Sequence, residues 1–330
     1  MPSKVLITGG TGFVGSHIIQ QLIDQGYEVL AAVRSQEKGK ELCSHFNEKV
    51  SFGIVEDITA PGSFDNICKN GGTIDYVIHS ASPFVYGHSD PEKEILQPAI
   101  QGSLEILRSV MKWAPSVKQV VLTSSLASMI GDASAQGVFK ETHWNPITYE
   151  QSLQPENTYI GSKKLAEKKA WEFMSENPGA HFSLTTINPG LIFGPLILPV
   201  SSEESVNTSN QLLDELVRGQ HTDKVPDAPV PAWVDIRDVA LAHVRAIQFE
   251  AARDHRFILV NDIYTMDEVV EIMRRQFPIL RGRLPEPQET PRAPIQFESS
   301  KSQKILGIKY HSLEDCVVTT TKSLMKKNGI

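Results

Sequence analysis

The sequence is poor in several features at once, and each shortage removes a class of protein. Only three cysteines, Cys43, Cys68 and Cys316, occur in 330 residues. They are far apart, odd in number and never spaced Cys-x-x-Cys, so they offer neither a disulfide framework nor a thiolate zinc site. They read as buried or half-buried free thiols. The 10 histidines show no metal-ligand spacing, and no metal is expected. No apolar run approaches the ~20 residues of a membrane helix. The first strand is expected from about Lys4, which leaves no room for a leader peptide. The expectation is therefore a cytoplasmic protein without a membrane partner, in which the sequon Asn207-Thr208-Ser209 is incidental. Positive charge is not in excess either: 32 Lys and Arg stand against 39 Asp and Glu, a formal net charge of −7. A nucleic-acid partner would ask for a basic surface, so none is expected.

What is present is ordinary globular composition, with 40% hydrophobic and 22% charged residues. At ~150 residues per domain the length allows two lobes with a cleft between them. Val5-Leu6-Ile7-Thr8 is a short apolar run that ends in Gly9-Gly10-Thr11-Gly12. A helical pattern follows, with Val14, Ile18, Ile19, Leu22 and Ile23 on one face and Gly26 at its stop. Val29 to Val33 reads as a strand buried on both faces. Further strands are expected near Val50–Val55, Tyr76–Ser80, Gln119–Ser124 and Ser183–Asn188, with helices between them. Strand and helix in strict turn imply a Rossmann-type, doubly wound parallel sheet of the α/β class.

After Pro189 the texture changes to a Pro-rich, polar stretch. Helices are expected at about Asn210–Arg218, from Val234 to Phe249, and from a capping box at Thr265 and Glu268 toward Gln276. Arg256–Val260 reads as a strand, Pro278 to Pro294 as an irregular connection, and Ser312 as the cap of a last helix. The division that follows is a cofactor-binding domain over 1–190, with return elements from about 232–260. Residues 191–330 then form mainly a smaller substrate-binding lobe.

Gly9-x-x-Gly12-x-x-Gly15 lies at the first strand-to-helix turn. Its first glycine permits positive φ, its second lets backbone approach a pyrophosphate, and its third lets the helix pack closely on the sheet. Backbone N–H groups of Thr11, Gly12, Phe13, Val14 and Gly15 would face the anion at the helix start. An NAD site places Asp or Glu at the end of the second strand to bind the ribose hydroxyl. This chain has Arg34 there, with Lys38 nearby, and a guanidinium suits a 2′-phosphate. The expected cofactor is NADPH/NADP+.

Tyr159 and Lys163 lie four apart in a helical segment, on one face. Reduction of a carbonyl leaves an alkoxide that needs a proton, and a neighbouring ammonium is expected to lower the phenol's pKa for that exchange. Ser124 and Ser125 end a predicted parallel strand, the edge at which open α/β sheets bind ligands. Either hydroxyl could orient a carbonyl oxygen.

Taken together, Gly9-x-x-Gly12-x-x-Gly15, Thr123-Ser124-Ser125, Tyr159-x-x-x-Lys163 and Asn188-Pro189-Gly190 resemble the extended short-chain dehydrogenase/reductases. Arg34, Asp57-Ile58, His79 to Pro83, Phe193-Gly194-Pro195 and Val234 to Ala240 narrow the resemblance. They are similar to the dihydroflavonol-reductase-like branch, especially its fungal NADPH-dependent aldehyde and ketone reductases. The resemblance implies an oxidoreductase with Tyr159 as proton donor, Lys163 as its partner and ribose ligand, and Ser125 as the carbonyl-orienting hydroxyl. It also implies Asp57 and Ile58 at the adenine, Ala81 and the Pro189-Gly190 backbone along the cofactor, and Ser209 toward a phosphate. Phe84 and Leu126 are expected to shape the substrate pocket. The Asn-Trp-Tyr-x-Tyr stretch of cinnamoyl-CoA reductases is missing, which lowers the odds of a CoA thioester substrate. The expected substrate is a small carbonyl compound and the expected assembly a monomer or homodimer. A nucleotide-sugar epimerase or dehydratase of the same fold would call for an acidic residue in place of Arg34. A cofactor sensor without catalysis would have no need of the Tyr–Lys pair.

Overall fold

The computed structural model describes residues 2–82, 89–131, 137–200 and 206–330. In the first half, strands and helices alternate: β1 (Lys4–Thr8), α1 (Phe13–Asp24), β2 (Glu28–Val33), α2 (Gln36–His45), β3 (Val50–Ile54), α3 (Asp65–Asn70) and β4 (Tyr76–His79). They continue through α4 (Gln97–Trp113), β5 (Gln119–Thr123), β6 (Gly137–Phe139), α5 (Tyr149–Ser152), α6 (Thr158–Glu176) and β7 (Ser183–Pro189). The second half holds β8 (Leu191–Phe193), α7 (Thr208–Arg218), β9 (Ala232–Asp235), α8 (Ile236–Gln248), β10 (Arg256–Leu259) and β11 (Asp262–Ile263). It closes with α9 (Met266–Gln276), β12 (Ile295–Phe297), α10 (Ser300–Leu306) and α11 (Leu313–Lys327).

Seven of these strands form one parallel sheet in the order β10-β7-β5-β4-β1-β2-β3. Side chains alternate between its faces, as the strand period demands. Val5 and Ile7 join the core on one side with Ile18, Ile19 and Leu22 of α1, whereas Leu6 joins the other with Ile106, Leu107 and Val110 of α4. Both faces are covered, which is why these strands read as unbroken apolar runs. The strand order reverses between β1 and β4, opening a crevice at the carboxyl edge of the sheet.

The smaller lobe has its own core, in which Phe193, Leu213, Leu216, Trp233, Val269, Val270 and Val317 pack together. A three-stranded sheet, β11-β9-β8, lies against it. The segment expected as one helix from Val234 to Phe249 is divided. Val234 and Asp235 end β9, and the Asp235 carboxylate accepts from the backbone N–H of Arg237, so α8 starts only at Ile236. The capping box at Thr265 and Glu268 and the Ser312 cap both form. Pro278–Arg283 makes a 3₁₀ turn within the stretch expected to be irregular.

A close backbone approach lies where α1 leaves the sheet. A Cβ on Gly15 would stand 2.1 Å from the carbonyl oxygen of Gly9, and Gly9 itself has φ +72°. Gly15→Ala therefore forces α1 away from β1, with an expected loss of about 2 kcal/mol in a urea unfolding curve.

Candidate active site

The glycine turn is built as its spacing predicts. The Gly12 N–H donates to Gly9 O at 2.9 Å, and α1 begins at Phe13 with no side chain capping its first turn and no acidic residue in it. Its leading N–H groups are thus available to an anion. A Cβ on Gly9 would meet Ala81 N at 2.8 Å, so the turn lies directly against the chain leaving β4. The Ala81 N–H donates to Thr8 Oγ1, which also bonds His79 Nδ1 at 2.9 Å. Burial, and then the nearby Lys163 ammonium, pull His79 down to about 3, so this imidazole stays neutral. A cavity of about 1070 Å³ opens beside the turn, with Thr11, Lys38, His45 and Leu198 among its walls.

Arg34 is exposed just past the end of β2. Ser35 caps α2 by accepting from Lys38 N, and the Lys38 ammonium pairs with Glu41 at 2.9 Å. Asp57 Oδ1 accepts from the Thr59 N–H at 2.8 Å and its hydroxyl at 2.7 Å, and those bonds hold the carboxyl below its ordinary pKa. It therefore closes a loop turn and does not cap a helix. Ile58 packs against α4, where a Cβ on Gly102 would stand 3.1 Å away. On the other side of the crevice, Pro189 ends β7, and Gly190 N donates to Leu259 O. The close approach of Gly190 to Ala232 O leaves no room for a side chain.

Two of the expected contact residues are engaged within the protein itself. The Ser209 hydroxyl donates to Ile192 O at 2.6 Å and accepts from Asn207, so its hydrogen fastens α7 to β8. Leu126, expected on the pocket wall, is 2% exposed and packs with Met129, Ile130 and Ile263 in the core. Phe84 lies outside the described residues.

Ser125, Tyr159 and Lys163 come together at the carboxyl edge of the sheet. The Ser125 hydroxyl lies close enough to the Tyr159 phenol to lower its pKa, and Lys163 Nζ lies 5.8 Å from the Tyr159 ring centroid. Ser124 points elsewhere: its hydroxyl, 6% exposed, donates to the Glu167 carboxylate at 2.6 Å. The phenol departs from expectation in its acidity. Burial pushes its pKa up, and the Ser125 contact, not the ammonium, opposes that shift. Tyr159 as a whole residue is 41% exposed. Burial pulls the Lys163 ammonium down to about 8.

Behind this group stands a residue that sequence reasoning passed over. Glu167, on α6 one turn past Lys163, has no exposed side-chain surface. Its Oε2 receives Ser124, Ser128 (2.5 Å) and Asn188 (2.6 Å); its Oε1 receives Arg256 (2.6 Å), Thr186 (3.0 Å) and Trp171 (3.3 Å). Burial pushes its carboxyl up, but the Arg256 guanidinium and these hydrogen bonds outweigh it and hold the group ionised below its ordinary pKa. The available signal was an acid within the buried stripe Ala166, Glu167, Ala170 and Phe173. On the far side of the sheet, Thr123 bonds His243 Nε2 at 2.8 Å, and His243 Nδ1 donates to Val239 O. Burial pulls that imidazole down to about 4.

Among the described residues no group of three His, Cys, Asp or Glu side chains is placed to hold a metal. A separate cavity of about 550 Å³ in the small lobe, walled by Val225, Pro229, Tyr264 and Met266, includes none of the predicted site residues. No helix among the described residues is long and apolar enough to cross a membrane.

Comparisons with known proteins place the chain in a family. Ketoreductase azaE of Aspergillus niger is 36% identical, over 99% of each chain. The NADPH-dependent methylglyoxal reductase GRE2 of Saccharomyces cerevisiae is 37% identical, again over 99% of each. The crystal structure of the yeast Gre2 enzyme with NADPH superposes with a TM-score of 0.92 at 35% identity, covering 99% of both chains. That of Candida albicans Gre2 with NADPH gives 0.93 at 34%, with the same coverage. Residues 5–260 match the NAD dependent epimerase/dehydratase family, and the chain belongs to that family.

Proposed function

We infer that this protein is an NADPH-dependent carbonyl reductase that converts aldehydes or ketones to alcohols. The observation that carries the reading is the Ser125–Tyr159 hydroxyl pair, with Lys163 one helical turn on, beside a glycine turn at the strand switch. The fit to the cofactor rests on a cradle that a Cβ at Gly9 or Gly15 would fill, an uncapped α1 and an exposed guanidinium after β2. Gly9, Thr11, Gly12, Phe13, Val14 and Gly15 would hold the pyrophosphate, Arg34 and Lys38 the 2′-phosphate, and Asp57 and Ile58 the adenine side. Ala81, Pro189, Gly190 and Lys163 would line the nicotinamide half. When bound, NADPH supplies the hydride.

The protein's own part is to hold the carbonyl oxygen and give it a proton. Ser125 and Tyr159 would both donate to that oxygen, stabilising the charge that gathers on it. The phenol is protonated at neutral pH and burial raises its pKa further, so Tyr159 holds a hydrogen to deliver to the substrate alkoxide. Ser125 is favoured over Ser124 because the Ser124 hydrogen is already given to Glu167. The Lys163 ammonium would hold the ribose hydroxyls, and the Ser125 contact would favour the phenolate left behind. Residues 191–330 would supply most of the substrate lobe. The free, buried thiols of Cys43, Cys68 and Cys316 suit a reducing compartment and support a cytoplasmic location, with a monomer or homodimer as the assembly this reading takes.

Three outcomes are expected. Tyr159→Phe should lower kcat for aldehyde reduction by about a thousandfold, with the NADPH dissociation constant, followed by cofactor fluorescence, within about threefold of the parent. Arg34→Ala should cut the preference for NADPH over NADH in kcat/KM by about tenfold or more, the worth of a charge-assisted phosphate contact. For pH, the sign follows from Lys163: burial lowers its pKa, so the ammonium is present below about 8 and lost above it. Reductive kcat/KM should hold steady near neutrality and fall as pH rises through about 8. A rate that stays level to pH 10 would contradict that role.

A further inference from the structure

Among the groups left over from the mechanism, Glu167 is one that bonds several elements around the Ser125 turn. Its donors are Ser124 at the end of β5, Ser128 in the turn after it, Thr186 and Asn188 on β7, and Arg256 on β10. Ser124 and Ser128 bracket Ser125, so both ends of the segment carrying that hydroxyl are tied to one carboxylate. The same carboxylate sits on α6, one turn from Lys163 and two from Tyr159. Arg256 is itself held: it donates to Glu141 O and His143 O and lies 3.7 Å over the Trp144 ring. From the other side, Asn145 donates to Ala127 O and Ile130 O.

We propose that Glu167 is a positioning residue, whose carboxylate sets the separation between the Ser125 turn and the helix that carries Tyr159 and Lys163. The proposal rests on the reading of Ser125 and Tyr159 given above. Stability alone would not call for an acid here, because a buried ion pair is commonly replaceable by apolar packing without loss. What apolar packing could not do is bind the turn, three strands and the helix at hydrogen-bond distances. The serine and tyrosine come from different parts of the chain and must reach one substrate oxygen together. An error near 1 Å between them is enough to lose about a hundredfold in rate.

The test is Glu167→Gln, which keeps the shape but turns an amide N–H₂ toward groups that need an acceptor. Expected are a kcat lower by about a hundredfold, a raised KM for the carbonyl, and NADPH affinity within about threefold, since the glycine turn and Arg34 are untouched. The reverse reaction supplies a readout that a general loss of packing would not move. Alcohol oxidation needs the phenolate, and the Ser125 contact favours it. Displacing Ser125 should therefore shift the rise of the oxidation rate to higher pH. A Glu167→Gln protein that binds NADPH normally, keeps kcat within about threefold and shows no pH shift overturns the proposal.

If that variant does not fold, Ser128→Ala decides, because it removes one tie without stranding a buried charge. A tenfold lower kcat with intact NADPH affinity supports the proposal, and unchanged kcat overturns it. Tyr159→Phe assayed in parallel separates the two levels of the argument. Should it turn over normally, the reading of the site itself fails; should it be inactive while Glu167→Gln is not, only the positioning role fails.

Discussion

The molecule depends on a reversal in strand order. From β1 the chain crosses outward to β2 and β3, then returns to place β4 on β1's other side, so the connections after β1 and β4 part company. Parallel strands buried on both faces tolerate polar groups only where each finds a partner, as Thr186 and Asn188 do on Glu167. The polar work is displaced to its carboxyl edge, where the connections part. Gly9 and Ala81 meet there at backbone distance, and the hydroxyl of Thr8 ties the two strand ends together. Ser125, Tyr159 and Lys163 stand farther along the same edge because β5 and α6 deliver them there.

Polar residues beneath that edge are arranged so that few of them carry charge. His79 and His243 are both buried and held neutral, each bonded to a threonine hydroxyl on a strand. Glu167 is the exception and is ionised because Arg256 and several donors compensate its burial. Asp235 is a second buried carboxylate, paired with Arg237 at 2.6 Å and capping α8. Its Arg237 partner reaches on to Asp315 of α11, and Asp238 hydrogen-bonds His311, so polar contacts join the small lobe to α8. Such groups cost free energy to bury unless every partner is present. They confine the surrounding elements to one arrangement.

Much of this was legible in the sequence because it is local. The glycine turn, the helix after it and the four-residue spacing of Tyr159 and Lys163 depend on neighbours along the chain, and the strands announced themselves as apolar runs. Arg34 stands where the cofactor's extra phosphate would be read. The misses have tertiary causes. Asp235 ends a strand and caps a helix within a segment whose periodicity looks helical throughout. Leu126 is drawn into a core formed with Ile258 and Ile263, more than a hundred residues away. Ser124 and Ser125 are indistinguishable until Glu167 claims one of them. The phenol's acidity was misjudged because spacing conveys that an ammonium is near and says nothing of how deeply the hydroxyl is buried.

The edge strand β10 has a consequence for how the gene can be divided. It is contributed by residues 256–259, after the chain has already built β8, α7 and β9 of the small lobe. α8 and α10 also pack on the nucleotide half. The lobes interleave, and no single cut in the polypeptide frees one of them whole. Exchange of substrate lobes between relatives would have to proceed by grafting two separate insertions into a continuous scaffold, not by swapping a terminal module.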